Sequence, residues 1–208
     1  MKFNLLIAIS GSVATVKIPQ LINLLDIEFK NNNLNIRLVF TKSSLHFYKI
    51  ASNYNVESWD NYQNILNSKN MIEIYRDQDE WQSYNTVGNK VLHIEMVKWA
   101  DIFLIAPLSA NTLAKISNGL CDNLLTCIAR AWDYSKPMIV CPAMNTNMWN
   151  HLITKKHIEL LKQFGNVIVV SPIVKKLACG DIGNGAMASL NDIVNIVVKY
   201  FISLSFYD

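Results

Sequence analysis

Small, hydroxylated and amide residues recur in this chain directly behind short apolar runs. Ser10-Gly11-Ser12-Val13 follows the first run and Thr41-Lys42-Ser43-Ser44 the second. Pro107-Leu108-Ser109-Ala110-Asn111-Thr112 closes the third, and Pro142-Ala143-Met144-Asn145 the fourth. Gly11 lets a backbone approach a ligand closely. Ser12, Thr41, Ser43, Ser109 and Thr112 offer hydroxyls beside the exposed amides of helix N-termini, where phosphate is favoured. Each alone is better read as an N-cap; four in a row at one sheet edge favour a ligand. G-x-G-x-x-G is absent after the first run, and no G-x-x-x-x-G-K-[ST] occurs. The pattern therefore points to a phosphate-bearing, aromatic cofactor or substrate outside the two common nucleotide fingerprints.

Four residues could carry chemistry. His93, in the helical spacing of residues 91–99, is of the residue type that suits a general base near neutral pH, although a lone helical histidine is more often structural. Cys179 and Asp181 lie in the glycine-rich run Leu177-Ala178-Cys179-Gly180-Asp181-Ile182-Gly183-Asn184-Gly185. Such a run reads as a flexible loop, able to present a proton donor; a merely buried thiol is the alternative. Asn145 either orients a carboxylate or caps a helix. Cys121, Cys127 and Cys141 read as core.

The elements that must position these residues follow from periodicity. Residues 4–10, 36–41, 102–107, 138–142 and 167–171 are short and apolar on both faces, as strands of a buried parallel sheet are. Helices are predicted over residues 13–29, 91–99, 109–118, 122–132, 154–164 and 190–201. The alternation predicts a single α/β domain, an open parallel sheet with helices on both faces in a flavodoxin- or Rossmann-like three-layer sandwich. Ligands bind such sheets outside the carboxyl ends of the strands, where the four clusters fall. Residues 51–70, rich in asparagine, interrupt the rhythm and read as a surface insertion.

Composition excludes several classes. With 51% apolar and 17% charged residues, the 208-residue chain is an ordinary globular protein. A net charge of +3 without a basic stripe argues against nucleic acid. The four cysteines form no C-x-x-C pair, so neither zinc nor a disulfide framework is expected. The opening apolar run is too short to span a bilayer and has no signal-peptide features, which makes the cytoplasm the expected location and gives no membrane partner.

At these same residues the chain resembles the homo-oligomeric flavin-containing cysteine decarboxylases, and within them the branch acting on phosphopantothenoylcysteine, with its plant and fungal halotolerance relatives. The resemblance is carried by Ser10-Gly11-Ser12-Val13-Ala14, by residues 41–47, 93–101, 106–112 and 119–125, by P-A-M-N-T-N-M-W at 142–149 and by A-C-G-D at 178–181. It implies FMN bound by Gly11, Ser12, Val13, Thr41, Lys42, Ser43, Ser109, Ala110, Asn111, Thr112 and Ala143, and no metal. It also implies His93 as base, Asn145 on the substrate carboxylate, Cys179 as proton donor, and Lys176, Leu177 and Ala178 lining the substrate. The implied reaction oxidises a cysteinyl thiol to a thioaldehyde, releases carbon dioxide, then reduces and protonates the enethiolate. It converts 4'-phosphopantothenoylcysteine to 4'-phosphopantetheine in coenzyme A biosynthesis. Members of the family imply a homotrimer with active sites between subunits, the histidine facing a neighbour's asparagine and cysteine. The rival readings are an FMN-binding regulatory subunit of a protein phosphatase, a peptidyl-cysteine decarboxylase and a flavin prenyltransferase. The retained His93, Asn145 and Cys179, without the acidic tail of the fungal regulators, favour the small-molecule enzyme.

Overall fold

The computed structural model describes residues 2–29, 34–49, 72–82, 86, 88–176 and 182–204. The asparagine-rich stretch 51–70 lies outside them, as do Leu177, Ala178, Cys179 and Asp181. Six parallel strands form the sheet: β1 (Phe3–Ile9), β2 (Leu34–Phe40), β3 (Ile72–Arg76), β4 (Ile102–Leu108), β5 (Met138–Pro142) and β6 (Val167–Val169). Their spatial order is β3-β2-β1-β4-β5-β6, so the winding reverses between β1 and β4. That reversal opens a crevice at the carboxyl ends of the two central strands.

Period-two alternation divides the core. Leu5, Ile7 and Ile9 of β1 face one side, where α1 (Ile18–Glu28) and α9 (Leu190–Leu204) supply Leu21, Leu25, Val197 and Phe201. Leu6 and Ala8 face the other, covered by α4 (Leu92–Trp99), α5 (Ala110–Ser117), α6 (Leu124–Ala131) and α8 (Leu152–Lys162). Leu5, Leu6, Ile7, Ala8 and Ile9 are fully buried, as a strand sandwiched between helix layers must be. The predicted three-layer α/β sandwich is the observed one.

Several boundaries move for identifiable reasons. Residues 13–29 are not one helix: a 3-10 turn covers Val13–Lys17, and α1 begins at Ile18 with Pro19 in its first turn. Proline has no N–H to give and suits a helix start, which fixes the break there. The sixth strand stops at Val169, although the Val170 amide still reaches the Val140 carbonyl at 2.9 Å. The edge strand β3, the short helices α2 (Lys42–Lys49), α3 (Asp77–Gln82) and α7 (Thr146–Asn150), and an antiparallel hairpin of β7 (Ile173–Lys176) with β8 (Ile182–Ala186) were not foreseen.

The hairpin corrects the glycine-rich reading. Gly183 and Gly185 belong to a paired strand, with Gly183 opposite Lys175. A Cβ on Gly183 would run into Thr146 Oγ1, and one on Gly185 into the Met144 carbonyl oxygen. Gly185 also has φ +143°, which disfavours a side chain. These glycines permit flat docking of the hairpin onto the start of α7, reinforced by a Met144 amide bond to the Gly185 carbonyl at 2.9 Å. The cysteines need a correction too. Cys141 is buried, but Cys121 is exposed and Cys127 only half-buried, its thiol donating to the Cys121 carbonyl at 3.3 Å.

Candidate active site

The crevice between β1 and β4 is closed at its base by Ser10. Its hydroxyl donates to the Pro107 carbonyl at 2.8 Å and accepts from the Ser109 amide at 2.7 Å, while its own amide donates to Pro107 at 3.2 Å. Beside it β4 carries one residue more than β5 between the Ile105–Val140 and Leu108–Pro142 pairs, a bulge that re-aims the strand end. The turn opening α5 is thereby tied to the end of β1.

Above this base lies a cavity of about 960 Å³. Every residue predicted to hold the flavin lines it: Gly11, Ser12 and Val13 after β1; Thr41, Lys42 and Ser43 after β2; Ser109, Ala110, Asn111 and Thr112 after β4; Ala143 after β5. Asn145 lines it too. Gly11 is required by packing, since a Cβ there would sit 2.5 Å from Ser43 Cβ.

The capping and ligand readings coexist. Ser12 accepts from the Ala14 amide at 3.3 Å, Thr41 from Ser44 at 3.2 Å and Ser109 from Thr112 at 3.3 Å. Asn145 accepts from Asn147 at 2.8 Å, and Asn123 caps α6 through a reciprocal box with Thr126. A cap satisfies one amide of the first turn and leaves the positive helix end in place. Five such starts converge on one cavity, a field suited to an anion. Lys17, Lys42, Lys115 and Lys175 line it against two carboxylates, Asp77 and Asp122. Both carboxylates are engaged: Asp77 accepts from the Leu124 amide at 3.0 Å, and Asp122 pairs with Lys115 at 2.6 Å. The hydrogen bond from Lys115 holds the Asp122 carboxyl below its ordinary range. Burial, and then the charge of Lys175, press the Lys17 ammonium below the usual lysine range. Cavity size, amide and hydroxyl donors, cationic balance and apolar Val13, Ala143 and Met144 together fit an aromatic phosphate-bearing cofactor such as FMN.

His93 is not brought into this cavity. It sits at the start of α4, where Glu80 of α3 grips it twice: the Nδ1 to Glu80 Oε1 distance is 2.7 Å, and the His93 amide donates to Oε2 at 3.1 Å. Val91 provides no side-chain cap, so Glu80 serves as one. A carboxylate at Nδ1 fixes the tautomer with Nε2 as the basic nitrogen. Glu80 was missed, because its role depends on a contact thirteen residues away and no local signal carries it. Lys17, Lys175 and Ser10 were missed likewise. The Lys176 side chain, like Leu177, Ala178 and Cys179, is outside the described residues. Among the described residues no group of three or more His, Cys, Asp or Glu side chains could hold a metal. No helix among them is long and apolar enough to cross a membrane.

Comparison with known proteins agrees with this geometry. The family model described as Flavoprotein matches residues 1–202. A probable phosphopantothenoylcysteine decarboxylase of Arabidopsis thaliana is 50% identical over 187 residues, covering 90% of this chain and 83% of its own. A phosphopantothenoylcysteine decarboxylase of Mus musculus is 43% identical over 194 residues, covering 93% and 84%. A solved PPC decarboxylase mutant complexed with pantothenoylaminoethenethiol superposes with a TM-score of 0.82 at 46% identity, over 97% of this chain and 99% of that one. The FMN binding protein AtHal3 gives 0.79 at 46% identity, over 98% of both chains.

Proposed function

The chain belongs to the Flavoprotein family, and we infer that within it this protein is an FMN-dependent phosphopantothenoylcysteine decarboxylase, releasing the cysteinyl carboxylate of 4'-phosphopantothenoylcysteine to give 4'-phosphopantetheine, a step of coenzyme A biosynthesis. The observation that carries the reading is the convergence of all eleven flavin residues and Asn145 on one cavity at the sheet's switch point.

FMN, when bound, supplies a two-electron oxidation of the substrate thiol and returns the electrons after carbon dioxide leaves. The chain's own residues do the rest. The helix starts at Ser12, Thr41 and Ser109 would hold the cofactor's phosphate, with Lys42 as counter-charge. Asn145 uses its Oδ1 as a cap, and its amide nitrogen is the donor a substrate carboxylate requires. His93, with Nδ1 held by Glu80, takes a proton at Nε2. Cys179 returns a proton to the enethiolate carbon. Lys176, Leu177 and Ala178 flank the substrate.

His93 stands apart from its own chain's cavity, which supports a homotrimer in which it serves the cavity of a neighbouring copy. The cytoplasm is the proposed location. The test is the visible spectrum of the purified protein before and after 4'-phosphopantothenoylcysteine, with carbon dioxide trapped. A yellow protein that releases carbon dioxide is expected. A yellow but inert one would transfer the reading to a regulatory flavoprotein, and a colourless one would remove the flavin site.

A further inference from the structure

Two lysines in the cavity have no part in the reading above. Lys17 ends the 3-10 turn Val13–Lys17 and is half-buried. Lys175 comes from β7, on the hairpin that docks against α7, so the two ammonium groups reach the same cavity from different elements. The cavity's carboxylates are committed elsewhere, Asp77 to the start of α6 and Asp122 to Lys115. Among the described residues neither Lys17 nor Lys175 has an ion-pair partner. The two charges repel, the Lys175 charge adding to burial in lowering the half-buried Lys17, and an anion between them would relieve that repulsion.

The proposed function gives the flavin phosphate to the helix starts at Ser12, Thr41 and Ser109, with Lys42, which leaves Lys17 and Lys175 to another anion. We propose that Lys17 and Lys175 form a second phosphomonoester site, which holds the 4'-phosphate of the substrate and makes the enzyme selective for phosphorylated pantothenoylcysteine. Lysine binds phosphate as a point charge, so the pair needs no fixed hydrogen-bond fork. The assignment rests on the decarboxylase reading for its substrate, and on cavity geometry for its residues. Burial first, and the Lys175 charge second, hold the Lys17 ammonium below the usual lysine range, and an anion between the two lysines would offset the second effect.

The test compares the flavin-loaded wild type with Lys17→Gln, Lys175→Gln and both Lys→Arg variants. Steady-state kinetics are run on 4'-phosphopantothenoylcysteine and on pantothenoylcysteine, with the flavin-to-protein absorbance ratio measured throughout. Each Gln variant is expected to raise KM for the phosphorylated substrate about 10- to 100-fold, the range for losing a contact between charged groups. KM for the unphosphorylated substrate, kcat and flavin content stay as in wild type, and Arg largely restores KM. Equal effects on both substrates, or none, would overturn the site. Loss of flavin with discrimination intact would assign the lysines to the cofactor's phosphate instead, which also overturns it. Calorimetry with 4'-phosphopantetheine and pantetheine keeps the two readings separable. If the wild type decarboxylates neither substrate, the function fails. The site still stands or falls on whether wild type, but not the Gln variants, prefers the phosphorylated compound.

Discussion

Replacing Ser10 by alanine removes one oxygen and should unsettle both the fold and the flavin site. The hydroxyl accepts from the Ser109 amide at 2.7 Å and donates to the Pro107 carbonyl at 2.8 Å, at a fully buried position. Pro107 keeps a second donor, the Ser10 amide at 3.2 Å, so its loss is modest, about 0.5–1 kcal/mol. The Ser109 amide loses its acceptor, and a part-buried unsatisfied donor costs about 1–3 kcal/mol. Together these give about 1.5–4 kcal/mol, which for a domain of this size lowers Tm by about 3–16 °C. Because Ser109 opens a helix at the cavity proposed for the flavin, the penalty should also reach binding. The flavin dissociation constant should rise about tenfold, and the gap in Tm between flavin-loaded and flavin-free protein should narrow. Calorimetric melting of both forms, with flavin titrated by fluorescence, measures each quantity. A variant that melts within about 2 °C of wild type and binds flavin equally would refute the reasoning, since Ser10 would then not tie β1 to the α5 turn.

Other perturbations probe separate parts of the site. His93→Asn should abolish carbon dioxide release with flavin content unchanged. Glu80→Gln, which keeps shape but weakens the hold on Nδ1, should lower kcat about 10- to 100-fold by loss of a charge-assisted bond, with KM little altered; normal kcat would mean Glu80 serves only as the cap of α4. Gly183→Ala should destabilise by about 1–3 kcal/mol through overpacking against Thr146 Oγ1, and Thr146→Ala in the same chain should recover much of it in urea melts. Tyr48, Tyr75 and Tyr134 have phenols pushed up to about 12, chiefly by burial. Their folded-state values lie above the unfolded value near 10, so their contribution is intact below pH 10 and is lost as pH rises through about 12. Urea melts across that range, followed with tyrosinate absorbance, should show stability falling as the phenols ionise.

What the sequence disclosed, and what it withheld, follows from how far each signal reaches. Met138–Pro142 was legible because a strand buried on both faces must be apolar throughout, and its observed limits match. The cavity rim was legible because small polar residues after such runs fall together at the carboxyl edge of any parallel sheet. The 3-10 break at Ile18 was overlooked because apolar spacing outweighed Pro19. β8 was hidden by its glycines, which suggest a loop in sequence but exist to let a strand lie against Thr146 and Met144. β3 alternates over only five residues at a half-exposed edge, too short a pattern to stand out. The hold of Glu80 on His93 and of Ser10 on Ser109 spans 13 and 99 positions, and no local rule anticipates such partners.

The close seat of the hairpin on α7 makes Lys175 and Asn145 parts of one stiff bracket. Gly183 stands opposite Lys175 across the hairpin and abuts Thr146, the residue after Asn145. The interval between Asn145, proposed to receive the substrate's carboxylate, and Lys175, proposed to receive its phosphate, is therefore set by packed backbone, not by mobile side chains alone. Such a bracket acts as a gauge of molecular length. On the proposed roles, substrates lengthened or shortened by one methylene between cysteine and phosphate would satisfy one end only, and selectivity for the pantothenoyl spacer would become a property of how two glycines fit against a helix.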